Sequence, residues 1–259
     1  MGDLYYRDFA ILKKNGKSRK ISAPSRDLLS YQRNLMPFLE KEHKKLEKLH
    51  NVEWVQHGFI KNRNCVTAAR QHIGFRYTIC MDLSEFFDSC NTSHFEDNIT
   101  RYKHLFHKKG YCAQGFASSP ILANIASLPM IKQINHWLLN AHIENEIEEM
   151  TKYAFTMYAD DIQISTNNKT KIKQIIDSVM AFADDNGFKI NKNKTRVRCS
   201  KAGYRKILGI NVGNDHIRAS RMTMRKIRAA DHQGNFHSKG GLTTWSKNLL
   251  PKALRKTEE

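Results

Sequence analysis

The chain has no apolar run of about 18 residues, the length needed to cross a bilayer as a helix, so a transmembrane protein is not expected. MGDLYYRDF at the start lacks the charge and apolar core of a secretory signal, and Tyr6 stands where N-myristoylation requires Ser or Thr. Cysteine occurs at five scattered positions, 65, 80, 90, 112 and 199, with no CxxC and no metal-type spacing. An odd, dispersed set of this kind suits reduced thiols in a cytoplasmic protein. No internal repeat or low-complexity tract is present. Acidic residues are few: 25 Asp+Glu against 43 Lys+Arg, a net charge of +18 over 259 residues. That imbalance points to a polyanion, either nucleic acid or a membrane surface, and with no membrane segment nucleic acid is the favoured partner.

Residues 5–24 (YYRDFAILKKNGKSRKISAP) read as a hairpin around Asn15-Gly16, with Lys13, Lys14, Lys17, Arg19 and Lys20 near its tip. A solvated basic hairpin and a cation-rich clamp for a triphosphate both fit it. A helix is expected over about Leu28–Leu49, with Ser25 or Asp27 as cap and Pro37 as a kink. A short helix follows near Val66–His72, then the apolar strand Tyr77–Leu83 (YTICMDL) with Asp82 near its end. A carboxylate there needs a reason, because burying one without a partner is costly. A helix is expected near Ser93–Tyr102, and a long one from Ile121 to about Ala141 behind the small-residue loop QGFASSP. The acidic run 144–149 separates that long helix from the next strand.

Tyr153–Met157 and Ile162–Thr166 read as strands flanking Tyr158-Ala159-Asp160-Asp161, so two adjacent carboxylates stand at a hairpin tip. A bare Asp-Asp in a turn is ordinarily solvated. A helix over about Thr170–Asn186 is expected to start at Asn168 and stop at Gly187. Phe188–Cys199 reads as strand–turn–strand, and Ile207–Val212 as a further short strand. The stretch 213–259 is basic again: a helix over Ala219–His232, a break at Gly234–Gly241, and a second helix over Leu242–Leu254. Asp82 and Asp160 lie 78 residues apart, so only a folded sheet can bring them together. The order of elements fits a split β-α-β sheet. Three carboxylates converging there could hold two cations for phosphoryl transfer.

With these elements placed, the chain resembles a bacterial reverse transcriptase of the retron-like and phage-defence type, over about residues 5–212. The resemblance rests on YRDFAILKKNGKSRKISAP and HGFIKNRNCVTAARQH as fingers motifs, YTICMDLSEFFDS, QGFASSPILANI and MYADDIQIS as the palm motifs, and GFKINKNKT and ILGINV after them. It implies an α+β right-hand polymerase. Fingers would occupy 1–76 with part of 103–120 returning to them, a ferredoxin-like palm 77–212, and a short basic helical thumb 213–259. Asp82, Asp160 and Asp161 would be catalytic and hold two Mg²⁺, with Mn²⁺ a substitute and the Leu83 carbonyl a further ligand. Lys14 and Arg19 would clamp the deoxynucleoside triphosphate, with Lys13 a rival. Gln114 and Gly115 would pack beside the nucleotide. Phe87 would be the steric gate against a ribose 2′-hydroxyl, leaving Phe86 to the core. Lys194 would be the general acid or pyrophosphate partner, with Lys189 and Lys192 as rivals. Tyr158 would support the primer terminus, and Ile207, Leu208 and Gly209 would grip the primer. The implied partners are an RNA template, as a dedicated noncoding RNA, a DNA or RNA primer, dNTPs and a defence effector protein.

The retron signatures NAxxH and VTG are altered: Ala68-Ala69-Arg70-Gln71-His72 lacks the Asn, and Ile207-Leu208-Gly209 keeps the Gly alone. Two other functions remain open at this point. One is a template-independent or protein-primed DNA polymerase; the other is a noncatalytic RNA-binding scaffold.

Overall fold

A computed structural model describes residues 4–12, 16–140 and 153–250. Lys13, Lys14, Asn15, the acidic run 144–149 and the end of the chain from Pro251 lie outside them.

The opening hairpin forms as read, with β1 (Tyr6–Leu12) antiparallel to β2 (Ser18–Pro24). Ser25 caps α1 (Arg26–Leu49) by accepting from the Leu28 amide, and the helix runs through Pro37. Asn64 and Thr67 form a reciprocal capping box at α2 (Cys65–Gln71). Next come β3 (Tyr77–Ser84) and α3 (Phe86–Ser89). The expected helix over Ser93–Tyr102 is not formed: a 3-10 turn spans Thr92–His94 and α4 covers only Asp97–Thr100. The sequence there has too few apolar positions at helical spacing to fill more than one turn.

The long helix α5 (Ser119–Asn140) is buried on nearly all sides along its first half, which explains its almost continuous apolar sequence. The hairpin β4 (Tyr153–Tyr158) and β5 (Asp161–Thr166) follows, then α6 (Ile172–Asp185). Asn168 does not cap α6 as expected; its side chain accepts from the Thr170 amide in the preceding turn. Gly187 ends the helix with φ +74°. The strand–turn–strand is β6 (Lys189–Ile190) and β7 (Arg196–Cys199), joined by a 3-10 turn.

β3 lies between β5 and the β6/β7 pair, so the sheet runs β4-β5-β3-β6 with β7 also on β3. Every pairing is antiparallel. With α5 between β3 and β4 and α6 between β5 and β6, this is the spatial order of a ferredoxin-like split β-α-β unit. Ile79, Met81, Leu83, Ile162 and Ile164 point from β3 and β5 into the main core, among Leu122, Ile131 and Val179 of the two helices. Because side chains alternate along strands, Thr78, Cys80 and Asp82 face the other side.

The expected single strand over Ile207–Val212 is split in two, β8 (Arg205–Ile207) and β9 (Ile210–Val212), and β10 (Ile217–Ala219) completes a three-stranded sheet. That sheet therefore crosses the division drawn after Val212. α7 (Arg221–His232) and α8 (Phe236–Leu249) follow. Gly240 and Gly241 do not break the chain as expected; α8 runs through both. Its start is fixed by Asn235, whose side chain accepts from the Ser238 amide. Ile207, Ile210, Val212 and Ile217 form a second core with Ala69 and Leu249, seating the small sheet on α2 and α8.

Candidate active site

Strand register brings the distant acids together. Asp82 on β3 is the direct cross-strand partner of Asp161 on β5, and Asp161 pairs with Tyr158 across the hairpin. Asp160 lies in the two-residue turn, and its carbonyl accepts from the Leu83 amide at 2.9 Å. The Asp82 carbonyl accepts from the Asn191 amide at 2.7 Å, which joins β3 to the turn after β6. Ala159 holds φ +53°, a left-handed conformation uncommon for a residue other than glycine. Gly58 is packed against this turn: a Cβ there would lie 2.6 Å from the Ala159 nitrogen. Val55–Gly58 runs along the edge of β4, with His57 N donating to the Met157 carbonyl at 2.8 Å and Met157 N to Val55 at 2.7 Å. Asn124 of α5 holds the Gly58 carbonyl at 2.9 Å. No sequence pattern singles out Gly58; its role emerges only once the fold sets it on the Asp160 turn.

The carboxylates are held under mutual strain. Burial and the charges of Asp160 and Asp82 push the Asp161 carboxyl up to about 6. Asp160 is also raised, first by burial and then by Asp82, while Lys194 and Arg19 act in the opposite direction. Lys194 donates to both oxygens of Asp82, at 2.8 and 2.9 Å, and its own pKa is raised by that contact. The rivals Lys189 and Lys192 are exposed and make no such bond. Among the described residues no three His, Cys, Asp or Glu side chains form a ready-made metal cage. Even so, crowded, half-buried carboxylates offer hard oxygen donors, and a divalent cation would relieve their repulsion. Asp82, Asp160 and Asp161 therefore fit the group that the resemblance implies.

The other predicted residues surround this centre. Leu83 buries its side chain in the core, at the strand end next to Asp82. Phe86 is buried against Phe188, with ring centroids 5.9 Å apart, while Phe87 is half-buried beside Phe59 at 6.3 Å. Tyr158 lies 6.4 Å from Phe59. Glu85, with φ +49°, makes the sharp turn from β3 into α3, and the Phe86 and Phe87 rings stay in contact there, with centroids 5.7 Å apart. The Gln114 carbonyl accepts from Ser22 N at 2.8 Å, tying the β1–β2 hairpin to the loop before α5. At Gly115, with φ +113°, a Cβ would lie 2.5 Å from the Ser22 carbonyl oxygen, so only glycine fits there. Arg19 is exposed on β2, and Lys14 falls outside the described residues.

Leu208 and Gly209 form the β8–β9 turn with φ +48° and +83°, the signs of a type I′ hairpin. They line one cleft of about 400 Å³ together with Asp82, Asp161 and Lys194. Ile207 does not reach that cleft; it is fully buried in the second core.

Behind the carboxylates the same sheet face is sealed. His72 joins the Ser165 and Thr156 hydroxyls, each at 2.8 Å, and Thr78 meets Ser165 at 2.7 Å. Arg205, fully buried, donates to Thr78 at 2.8 Å, to the His72 carbonyl at 2.7 Å and to the Gly213 carbonyl at 3.1 Å. Burial lowers the pKa of both residues, that of His72 to about 3. Arg205 had no signal in the sequence, since a basic residue in a basic chain reads as surface.

An antiparallel sheet in ferredoxin-like order, with Asp82 and Asp161 paired across β3 and β5 and Asp160 in the adjoining turn, has the layout of a polymerase palm. The profile described as "Reverse transcriptase (RNA-dependent DNA polymerase)" matches residues 11–212, and the chain belongs to that family. Retron Mx65 reverse transcriptase of Myxococcus xanthus is 26% identical, over 88% of this chain and 56% of its own length. Retron Ec73 reverse transcriptase of Escherichia coli is 29% identical, over 84% and 72%. The chain thus spans little more than half of the first relative. Among solved structures, a truncated apo telomerase from Candida tropicalis superposes with a TM-score of 0.60 at 16% identity, over 84% of this chain and 55% of that one. A foamy viral protease–reverse transcriptase bound to double-stranded DNA gives 0.57 at 16%, over 96% and 37%. Both likenesses are of fold. Among the described residues no helix is long and apolar enough to cross a membrane.

Proposed function

We propose that the chain is an RNA-directed DNA polymerase that adds deoxynucleotides to a primer 3′-hydroxyl. The observation that carries this reading is the register pairing of Asp82 with Asp161, with Asp160 in the adjoining turn. When bound, two Mg²⁺ ions, or Mn²⁺ in their place, would supply Lewis-acid stabilisation of the attacking 3′-oxygen and the leaving pyrophosphate. Asp82 and Asp160 would hold both, with Asp161 and the Leu83 carbonyl in support. Lys194 must release Asp82 for this. Its ammonium then stands beside the carboxylates, where it can donate a proton to, or pair with, departing pyrophosphate. Arg19 and Lys14 on the fingers hairpin clamp the triphosphate, and Gln114 and Gly115 form the wall between that hairpin and α5. Tyr158, Leu208 and Gly209 border the place of the primer terminus, and Ile207 anchors the primer-gripping turn from below.

Phe87 is the half-buried ring that a ribose 2′-hydroxyl would strike, which selects deoxynucleotides. The likeness to two retron enzymes supports a dedicated noncoding RNA as template, within a cytoplasmic retron or antiphage system that includes an effector protein. The +18 charge suits binding of template and primer.

Selectivity tests this reading on a primed RNA template with Mg²⁺. The protein should extend with dNTPs and not with NTPs, and Phe87→Ala should gain ribonucleotide use by tenfold or more. Equal use of both nucleotides by the unaltered protein would contradict the gate.

A further inference from the structure

Phe59 is a large apolar ring in a place that neither burial nor backbone preference explains. It stays 48% exposed, and its backbone holds φ +61°. That left-handed region is uncommon for any residue but glycine and suits a bulky one least. The conformation is imposed from both sides. On one side Gly58 is packed on the Asp160 turn, and its carbonyl accepts from Asn124 at 2.9 Å. On the other, the Ile60 carbonyl accepts from the Arg63 amide at 3.1 Å. Glycine or asparagine would meet this backbone at lower cost. A residue that breaks a local rule in this way is the mark of a functional position.

The ring contacts say which function. Phe87 has two aromatic neighbours of different kinds. Phe86, with its centroid 5.7 Å away, is buried in the main core. Phe59, at 6.3 Å, continues the segment that runs along the edge of β4, and its ring also lies 6.4 Å from Tyr158. Phe86, Phe87, Phe59 and Tyr158 thus form a row of rings from the core to the hairpin that bears Asp160 and Asp161. A gate ring excludes a 2′-hydroxyl only as firmly as it is kept from turning aside. Aromatic pairs at these separations attract one another beyond mere burial, enough to shift an equilibrium about two- to tenfold.

We propose that Phe59 is a positioning residue for nucleotide selection. It braces Phe87 and ties the place of that ring to the turn that carries Asp160. Phe59 acts through Phe87, so the inference rests on the reading of Phe87 as the gate. Discrimination between deoxyribose and ribose then depends on a pair of rings, of which the sequence motif contains one.

The test reads binding rather than chemistry. The full chain is held on a primed RNA whose primer ends in a 2′,3′-dideoxynucleotide, and Kd is measured for dCTP and for CTP opposite a template G, with Mg²⁺. The ratio of the two constants is compared among the unaltered protein, Phe59→Gly, Phe87→Ala and the double variant. Phe59→Gly should lower the preference for dCTP by about two- to tenfold. Phe87→Ala should lower it by about tenfold or more, and the double variant should match Phe87→Ala within about twofold, because no ring is left to brace. Phe59→Tyr keeps the ring and should keep the preference. Should Phe59→Gly not fold, Phe59→Asn, which also tolerates this backbone, takes its place. An unchanged ratio in Phe59→Gly beside a lowered one in Phe87→Ala would overturn the brace and leave the gate standing. Additive losses in the double variant would mean that Phe59 acts by a contact of its own, and would overturn the brace as well. So would an equal weakening of both nucleotides in Phe59→Gly, which marks a support for template or primer alone. An unchanged ratio in Phe87→Ala would refute the gate reading and this inference with it, as would a protein that binds neither nucleotide.

Discussion

Asp82 and Asp161 face each other at the tip of a sheet surface whose other end, two rows down, carries Thr78 and Ser165. At the tip, like charges are crowded, half-buried and raised in pKa, and one is held by an exposed lysine. At the other end His72, Thr156, Ser165, Thr78 and Arg205 are fully buried and linked by hydrogen bonds of 2.7–2.8 Å. The strands are the same; the chemistry is opposite. These hydrogen bonds tie β3, β4 and β5 together behind the carboxylates of the open end, with the Arg205 Nε alone of the network's donors left without a partner among the described residues. The backbone shows the same division. Glu85, Ala159 and Leu208, three of the residues with positive φ, sit at turns bordering the carboxylates or their cleft. Such conformations cost about 1–3 kcal/mol each and persist only where the surroundings hold them.

Breaking the closed end should give the largest loss of stability. Arg205→Ala removes a large buried side chain and orphans two carbonyls, so unfolding free energy should fall by about 3–5 kcal/mol in urea titration. A loss below about 1 kcal/mol would mean that the network does not fix the small sheet to the palm. At the open end, Gly58→Ala forces a methyl group against the Ala159 amide and shifts the turn that bears Asp160. Primer extension should drop by about 100-fold in kcat with the fold retained by circular dichroism.

The comparison is sharpest against pH, because the two ends titrate with opposite sign. His72 is lowered to about 3, so its contribution is complete above about 6.5 and is lost as pH falls towards 3. Its slope is at most about 1.4 kcal/mol per pH unit. Asp161 is raised to about 6, so its penalty is absent below about 4 and complete above about 6. In metal-free protein, Asp161→Asn should therefore raise stability at pH 7.5 by about 1–3 kcal/mol, with the gain gone at pH 4. His72→Gln should flatten the acid side of the stability curve. Parallel pH curves for the two variants and the unaltered protein would remove the distinction between the ends.

How much of this could be read from sequence depends on range. The palm order was legible because its strands and helices are long and strongly patterned, and because the acids sit at strand ends in sequence contexts that repeat across a family. Local signals misled where contacts override them. Glycine pairs read as a break, yet α8 runs through Gly240 and Gly241, capped by Asn235. Asn168 looked like a helix cap and instead closes a turn. Ile207, grouped with Leu208 and Gly209 as a primer contact, is core, because alternation along β8 turns it inward. The roles of Gly58 and Arg205 could not be read, since Gly58 acts on Ala159 and Arg205 on Thr78 and His72, all far away along the chain. The acids have a chemical signature of their own; the groups that place them do not.

The central claim is that Asp82, Asp160 and Asp161 carry nucleotide addition on an RNA template. The most direct measurement is single-nucleotide extension of a primed RNA by the unaltered protein and by Asp160→Asn/Asp161→Asn, with Mg²⁺ and dNTPs. The account predicts labelled DNA from the first and a loss of at least about 1,000-fold in the second, with the variant folded and no less stable without metal. Equal extension by both proteins would contradict it.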